Sequence, residues 1–258
     1  MQQVKKIHSR LWMIIMLIMG SVMSMNVCAE QDNRFRYAQV RYNGGWDPYP
    51  DIHYEILSFM VTTTSIQAIS ERAVVELGSD DLFEYPFVIL LGNTSFPSLT
   101  KKEQQNLRHF IEAGGVIFVE DATGVPASSF DRSFRREIRQ VFDDASLAVI
   151  PREHAVLRSF YLMRTIPGRK IIHNYYEGIE VDGRTGLIYS QNDILGTWAR
   201  DRLGNYLYMP EPGGELQRKE SIKMTANIIL FGLTGTYKTD AIHIPFILRK
   251  LRSHPYER

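Results

Sequence analysis

The sequence predicts an α/β fold built on a mainly parallel sheet. Two short apolar runs, at 87–91 (FVILL) and 116–119 (VIFV), carry this prediction. Uninterrupted apolar runs of this length are typical of strands that are buried on both faces. A helix is predicted between them, because Thr100 and Glu103 have the spacing of a capping box and a pair of glycines follows the amphipathic stretch. Two buried strands joined by a helix form a parallel βαβ unit, so this region predicts the centre of the sheet.

The rest of the chain also alternates between strand and helix patterns, which favours the same class. Further strands are predicted at 35–42, 73–77 and 147–150, and further helices from Ile52, from Ser128 or Ser129, and over 220–233. Asp182-Gly183 lies between two short apolar runs and predicts a β-hairpin, since Asp-Gly favours a tight primed turn. The predicted architecture is a three-layer sandwich with a mainly parallel sheet, and the hairpin extends or covers that sheet.

The N-terminus has the pattern of a secretory signal peptide. Three basic residues precede a short apolar segment at 11–19, and Val27-Cys28-Ala29 resembles a cleavage site. The apolar segment is too short for an ordinary spanning helix, although an uncleaved membrane anchor remains the alternative. Valine before the cysteine argues against a lipoprotein signal. We therefore expect a signal peptide at 1–29 and a periplasmic or secreted protein.

The expected mature chain lacks several kinds of chemistry. Removal of the leader's three basic residues changes the formal net charge from +1 to −2, and it also removes the single cysteine. No disulfide, cysteine nucleophile or thiolate metal ligand then remains. The balanced charge gives no electrostatic footprint for nucleic acid, and we expect no transmembrane span after cleavage. We predict an α/β domain at 30–240 and a C-terminal tail at 241–258.

Candidate site residues follow from the topology of parallel sheets. Ligands of such sheets bind beyond the carboxyl ends of the strands. The residues expected there are Asn43, Gly44 and Trp46 after the first strand, Gly92 and Asn93 after the third, Asp121 after the fourth, Ser190, Asn192 and Asp193 after the hairpin, and His154 after Pro151.

Three of these residues are suited to chemistry. Asp121, His154 and Asp193 form a candidate acid–base set, or a candidate cation site, if they converge. Their spacing matches no specific motif, and structural roles compete with the functional ones. Asp121 suits helix capping, His154 suits a hydrogen bond to the backbone, Asn192 and Asp193 suit turns, and Trp46 suits packing. No phosphate-binding loop or nucleophile elbow occurs.

The predicted helix after Ser129 carries a cluster of four arginines. Arg132, Arg135, Arg136 and Arg139 lie largely opposite its apolar face. Such a cluster is typical of a solvated helix surface, and the alternative is a binding site for an anion or an acidic partner.

Five blocks in order carry a family resemblance: FRYAQVRYNGGW, LFEYPFVILLGN, LTKKEQQNLRHFIEAGGVIFVED, IPREHAVL followed by SFY, and GLIYSQNDILGTW. Together they resemble the bacterial domain of unknown function 4159 family over about residues 33–235. That family looks like a branch of the class I glutamine amidotransferase-like fold, which is a flavodoxin-type sandwich. The resemblance implies this fold, an envelope compartment and an envelope protein as partner.

Amidotransferase chemistry is not expected from the resemblance. Glutamine amidotransferases use a cysteine on a sharp turn after a central strand, whereas the corresponding turn here, 119–124, reads VEDATG. We therefore favour a non-catalytic module that binds an envelope partner protein or a small polar ligand, without a cofactor or metal. A hydrolase or a metal-dependent binding protein that uses Asp121, His154 and Asp193 is the alternative.

Overall fold

Residues 34–235 are described by a computed structural model of the chain. The predicted signal peptide at 1–29 and the predicted tail at 241–258 lie outside these described residues.

The described residues form a mixed α/β structure with one seven-stranded sheet and four α-helices. The strands are β1 (Phe35–Arg41), β2 (Ala68–Glu76), β3 (Phe87–Gly92), β4 (Val116–Asp121), β5 (Ala148–Val149), β6 (Glu177–Val181) and β7 (Arg184–Ser190). The helices are α1 (Ile52–Thr63), α2 (Lys101–Glu112), α3 (Ser129–Val141) and α4 (Gly214–Gly235). Short 3₁₀ helices occur at Asp80–Glu84, Ala155–Arg158 and Leu195–Trp198.

Local sequence signals account for several element ends. The predicted capping box is confirmed, because the Thr100 side chain accepts from the Glu103 backbone and the Glu103 side chain accepts from the Thr100 backbone. Ser128 caps α3 by accepting from the Asp131 N–H at 2.9 Å. Asp182 and Gly183, at φ angles of 52° and 71°, form the predicted tight turn between β6 and β7.

The strand order across the sheet is β2-β1-β3-β4-β7-β6-β5. The first five strands in that order are mutually parallel, while β6 and β5 are antiparallel to their neighbours. Register pairs Gly92 with Asp121 and Glu120 with Ser190, so β3, β4 and β7 end at the same level. The prediction that the hairpin extends the sheet is confirmed, and β7 lies inside the sheet, next to β4.

Two hydrophobic clusters cover the two faces of the sheet. One includes Phe118 with the apolar faces of α1 and α4, and the other includes Val119 with those of α2 and α3. Successive strand residues point to opposite faces, so the two clusters take alternate positions of β4. Residues 120 and 121 continue this alternation, and their side chains therefore point to opposite faces of the sheet.

Some predicted bounds were wrong. Helix α4 begins at Gly214 rather than near 220, because its first turn reads like a loop in sequence. Strand β5 has only two residues instead of four, and β2 begins at Ala68, five residues before the predicted start. The first residues of β2 were not predicted as strand because they include polar residues, which are common on an edge strand that is largely exposed to solvent.

Candidate functional site: the carboxyl edge of the sheet

Asp193 lies at the centre of a polar cluster just beyond the end of β7. Its carboxylate is fully buried, and it forms an ion pair with Arg169. It also accepts from the Tyr49 hydroxyl at 2.9 Å and from the Gly196 N–H at 3.1 Å. Burial raises the pKa of Asp193 to about 6, and the positive charge of Arg169 opposes part of that rise.

The backbone of Asp193 adopts an uncommon conformation. Its φ angle is 53°, in the left-handed region that non-glycine residues seldom occupy. The backbone carbonyl of Asp193 accepts from the Arg169 N–H at 2.9 Å, so the two residues are joined through both main chain and side chain. Asp193 therefore lies in a turn, which is the structural role predicted for it.

Arg169 connects three parts of this edge. Besides its ion pair with Asp193, it donates to the Thr123 carbonyl at 3.2 Å. Its guanidinium lies 4.9 Å from the ring centroid of Tyr208, which is a cation–π geometry. The side chain is only 15% exposed. Arg169 therefore fixes the loops after β4 and β7 and the segment around Tyr208 against each other.

Glu120 holds the chain that follows Asp193. Its buried carboxylate accepts from the Ser190 hydroxyl at 3.0 Å and from the backbone N–H groups of Ile194 at 2.6 Å and Leu195 at 2.8 Å. Burial raises the pKa of Glu120, and the nearby charge of Asp193 adds to that rise. This acidic residue therefore orders the turn between β7 and the 3₁₀ helix Leu195–Trp198.

Asp121 occupies the opposite face of the sheet from Glu120. It accepts from the backbone of Thr123 at 2.9 Å, from the Thr123 hydroxyl at 2.6 Å, and from the hydroxyl of Ser128, the capping residue of α3. Burial raises the pKa of Asp121 against these hydrogen bonds. Asp121 thus orders the β4–α3 loop by supporting the cap, while the capping position itself belongs to Ser128.

Asn192 uses both ends of its amide to hold a neighbouring segment. Its side-chain oxygen accepts from the N–H groups of Ile172 and His173, each at 2.9 Å. Its side-chain nitrogen donates to the His173 carbonyl at 2.7 Å and to the Ile166 carbonyl at 3.4 Å. The residue is 1% exposed, so its amide is committed to the loop at 166–173.

His154 does not join Asp121 and Asp193, which corrects the proposed acid–base or cation set. Its Nδ1 accepts from the Val156 N–H at 3.1 Å, and its Nε2 lies 2.9 Å from the Thr185 hydroxyl. Thr185 is at the start of β7, whereas Asp193 follows the end of that strand. Seven strand residues rise about 23 Å. His154 therefore lies at the amino edge of the sheet, and the two aspartates at the carboxyl edge face opposite sides.

The loops after β1 and β3 are tied together where a ligand crevice was predicted. The Asn93 N–H donates to the Gly45 carbonyl at 3.1 Å, and the Gly45 N–H donates to the Thr94 hydroxyl at 2.7 Å. Asn43 and Gly44 are exposed beside this junction. These hydrogen bonds join the two loops.

Trp46 has a packing role in the β1–α1 loop. The guanidinium of Arg72 lies 5.3 Å from the ring centroid of Trp46. The same guanidinium forms a bidentate ion pair with Asp47. The Trp46 carbonyl accepts from buried Gln39 at 2.8 Å. The ring therefore serves as a platform for an internal arginine, as the packing interpretation expected.

Sequence reasoning missed three residues of the central cluster: Tyr49, Glu120 and Arg169. Glu120 had a usable signal, because an acidic residue at the end of a fully apolar strand is seldom buried without partners. Tyr49 and Arg169 lie in loops whose sequences give no indication that they meet Asp193.

Residues 34–235 contain neither a cluster of metal-binding side chains nor a membrane-spanning helix. Within them, no three His, Cys, Asp or Glu side chains gather in a way that could hold a metal ion. None of the helices in that range is both long and apolar enough to cross a membrane.

Comparison with known proteins gives a family. A search among curated proteins found no match. A family model described as "Domain of unknown function (DUF4159)" matches residues 36–233, which is most of the chain. The protein therefore belongs to the DUF4159 family, as the sequence blocks indicated.

Proposed function

We propose that this protein is a non-catalytic binding module of the cell envelope with a flavodoxin-type, glutamine amidotransferase-like fold. The order of its five parallel strands, β2-β1-β3-β4-β7, supports the fold assignment, because flavodoxin-like sheets have the order 2-1-3-4-5. The predicted signal peptide supports the compartment.

One observation carries the non-catalytic part of the proposal. The buried polar side chains at the carboxyl edge are engaged by the protein's own groups: Glu120 and Asp193 by backbone N–H groups and neighbouring side chains, Asp121 by Thr123 and Ser128, and Asn192 by one loop. A catalytic acid or base needs a free path to the proton that it moves. These groups instead hold loops in place.

The partner is a protein rather than a small ligand in this proposal. Hydrogen bonds between Gly45, Asn93 and Thr94 join the loops after β1 and β3, beside which small ligands of related sheets bind. Five of the thirteen exposed large hydrophobic side chains within residues 34–235 lie in the segment 203–216, which contacts this edge through Tyr208 and Arg169. Such concentrations are typical of protein contact surfaces.

The proposal is tested by two measurements on the full chain produced in a bacterial host. The first is a broad screen for hydrolase and amidohydrolase turnover by the wild type, Asp193→Asn and Tyr49→Phe. We expect no turnover in any of the three proteins. Turnover that Asp193→Asn abolishes, while circular dichroism stays unchanged, would contradict the non-catalytic assignment.

The second measurement is purification from solubilised envelopes with quantification of co-purifying proteins. We expect one protein to co-purify in near-stoichiometric amounts with both the wild type and Asp193→Asn. Recovery of the chain alone under mild solubilisation would argue against a binding module.

A further inference from the structure

One segment of the described structure concentrates exposed apolar side chains. Thirteen large hydrophobic side chains are exposed within residues 34–235, and five of them lie between 203 and 216. We call these five the apolar rim; they are Leu203, Leu207, Tyr208, Met209 and Leu216. Leu203 is 87% exposed and Leu216 is 75% exposed, so these side chains contribute little to the core.

The backbone under the apolar rim is held by contacts from arginine side chains. Arg218 is 2% exposed and donates to the Thr197 carbonyl at 2.6 Å and to the Tyr208 carbonyl at 2.5 Å. The Tyr206 ring contacts two guanidinium groups, since the Cζ atoms of Arg200 and Arg218 lie 4.0 Å and 3.8 Å from its centroid. A preorganised surface loses little conformational entropy when a partner binds. The rim therefore has the property expected of a docking surface.

Two basic residues at the rim have no ion-pair partner within the described residues. Each acidic residue of the segment is engaged: Asp201 accepts from the backbone of its own turn, Glu211 pairs with Lys170, and Glu215 pairs with Arg218. Arg202 and Lys219 have no ion pair within the described part of the chain, and both are exposed. Arg202 adjoins Leu203, and Lys219 lies one helical turn beyond Leu216. Asp201 has hydrogen bonds but no ion pair within the described residues, so two cations and one carboxylate are unpaired there and the net unpaired charge at the rim is positive.

We propose that the apolar rim docks a protein segment whose apolar side chains are flanked by carboxylates. This inference rests on the proposed binding function and names the face and the chemistry of the partner. Carboxylates complement Arg202 and Lys219, while the apolar side chains pack on Met209 and Leu216. An anionic lipid surface fits less well, because such surfaces are typically bound by clusters of about four to eight basic residues, whereas Arg202 and Lys219 are the cations of this segment without an ion pair in the described residues.

Site-specific photo-crosslinking in cells tests the docking face. A photoreactive phenylalanine analogue replaces Met209 or Leu203 in the full chain, and as a control it replaces Val149, which is 58% exposed against 62% for Met209. We expect one crosslinked protein from the two rim positions, with at least tenfold less from Val149. We also expect mass spectrometry to place the crosslink in a segment rich in Asp, Glu and apolar residues. A crosslink to lipid, to a basic segment, or to nothing at all would overturn the inference.

Charge reversal tests the chemistry. Arg202→Glu with Lys219→Glu is expected to lower the yield of the Met209 crosslink at least tenfold. Arg139→Glu, at an exposed position on α3, is expected to leave the yield unchanged. Equal yields from the two variants would overturn the carboxylate assignment. A partner that co-purifies but crosslinks only outside the rim would overturn this inference and leave the proposed function standing, whereas the absence of any partner would remove both.

Discussion

Arg169 and Asp193 form an ion pair that joins the ends of two strands to a surface segment. The carboxylate of Asp193 is fully buried, and the guanidinium of Arg169 also bonds the Thr123 carbonyl and lies over Tyr208. One arginine thus connects the loop after β4, the loop after β7 and the apolar rim. The stability of this edge depends on that pair.

Loss of Arg169 is predicted to destabilise the protein strongly. Arg169→Ala leaves a buried carboxylate without its cation, which costs about 3–5 kcal/mol in buried pairs. Arg139→Ala, at an exposed position, is expected to change the free energy of unfolding by less than about 0.5 kcal/mol. Urea unfolding measures both variants. In the double variant Arg169→Ala with Asp193→Asn, part of the loss is expected to return, and equal effects of the two single arginine variants would refute the prediction.

The stability contribution of Asp193 is predicted to fall as the pH rises. Burial raises its pKa from 3.8 to about 6, so the folded state binds the proton more tightly than the unfolded state does. The contribution is fully present below pH 3.8 and is lost as the pH rises through about 6. The slope is at most about 1.4 kcal/mol per pH unit for one proton.

The comparison of wild type with Asp193→Asn measures that contribution together with the coupling to Glu120, whose pKa the charge of Asp193 raises. The difference between their free energies of unfolding is expected to move against the wild type as the pH rises from about 4 to about 6. A difference that is constant over the whole range, or one that moves the other way, would show that Asp193 is not protonated preferentially in the folded state.

Glu120 is predicted to be required for the turn after β7. Glu120→Ala leaves the N–H groups of Ile194 and Leu195 without acceptors in a buried position, which costs about 1–3 kcal/mol for each group. Glu180→Ala, at an exposed position of β6, is the control and is expected to be nearly neutral. Thermal unfolding followed by circular dichroism measures both, and similar melting temperatures would count against a structural role for Glu120.

Gly92 and Tyr42 are predicted to be energetically coupled. A Cβ atom at position 92 would lie 1.9 Å from the Tyr42 hydroxyl, so Gly92→Ala is expected to cost about 1–3 kcal/mol through overpacking. The Tyr42 hydroxyl has no hydrogen-bond partner within residues 34–235, and Tyr42→Phe alone is therefore expected to be nearly neutral. Combining the two substitutions is expected to recover part of the loss, because the closest contact disappears. Strict additivity in urea unfolding would disprove the coupling.

Export is predicted from the N-terminal sequence. Protein isolated from cells that express the full chain is expected to begin at Glu30 and to fractionate outside the cytoplasm. N-terminal sequencing and fractionation measure this, and a version that begins with Met followed by residues 30–258 serves as a cytoplasmic control. An intact N-terminus on membrane-bound protein would instead indicate a retained anchor.

Local chemistry allowed most of the fold to be predicted. The apolar runs of β3 and β4, the capping box at Thr100 and the Asp182-Gly183 turn each depend on neighbouring residues, and all are present. The start of α4 was missed because Gly213-Gly214 reads as a loop, although the helix gains its stability from packing on the sheet.

The candidate site was predicted less well, for a reason of topology. Asp121 and Asp193 do lie at the carboxyl edge, as the rule for parallel sheets predicts. Which face of the sheet each aspartate points to depends on the strand pleat. The position of His154 depends on which end of β7 its loop contacts, and that loop contacts the start of the strand at Thr185. Arg169 meets Asp193 only through tertiary structure, so no spacing in the chain indicates that pair.

Co-purification from solubilised envelopes, compared between wild type and Asp193→Asn, tests the central claim most directly. If the carboxyl edge is structural and the protein is a binding module, both proteins will recover the same partner in similar amounts and neither will turn over a substrate. Recovery of no partner, together with hydrolysis that the wild type performs and a folded Asp193→Asn does not, would contradict the account.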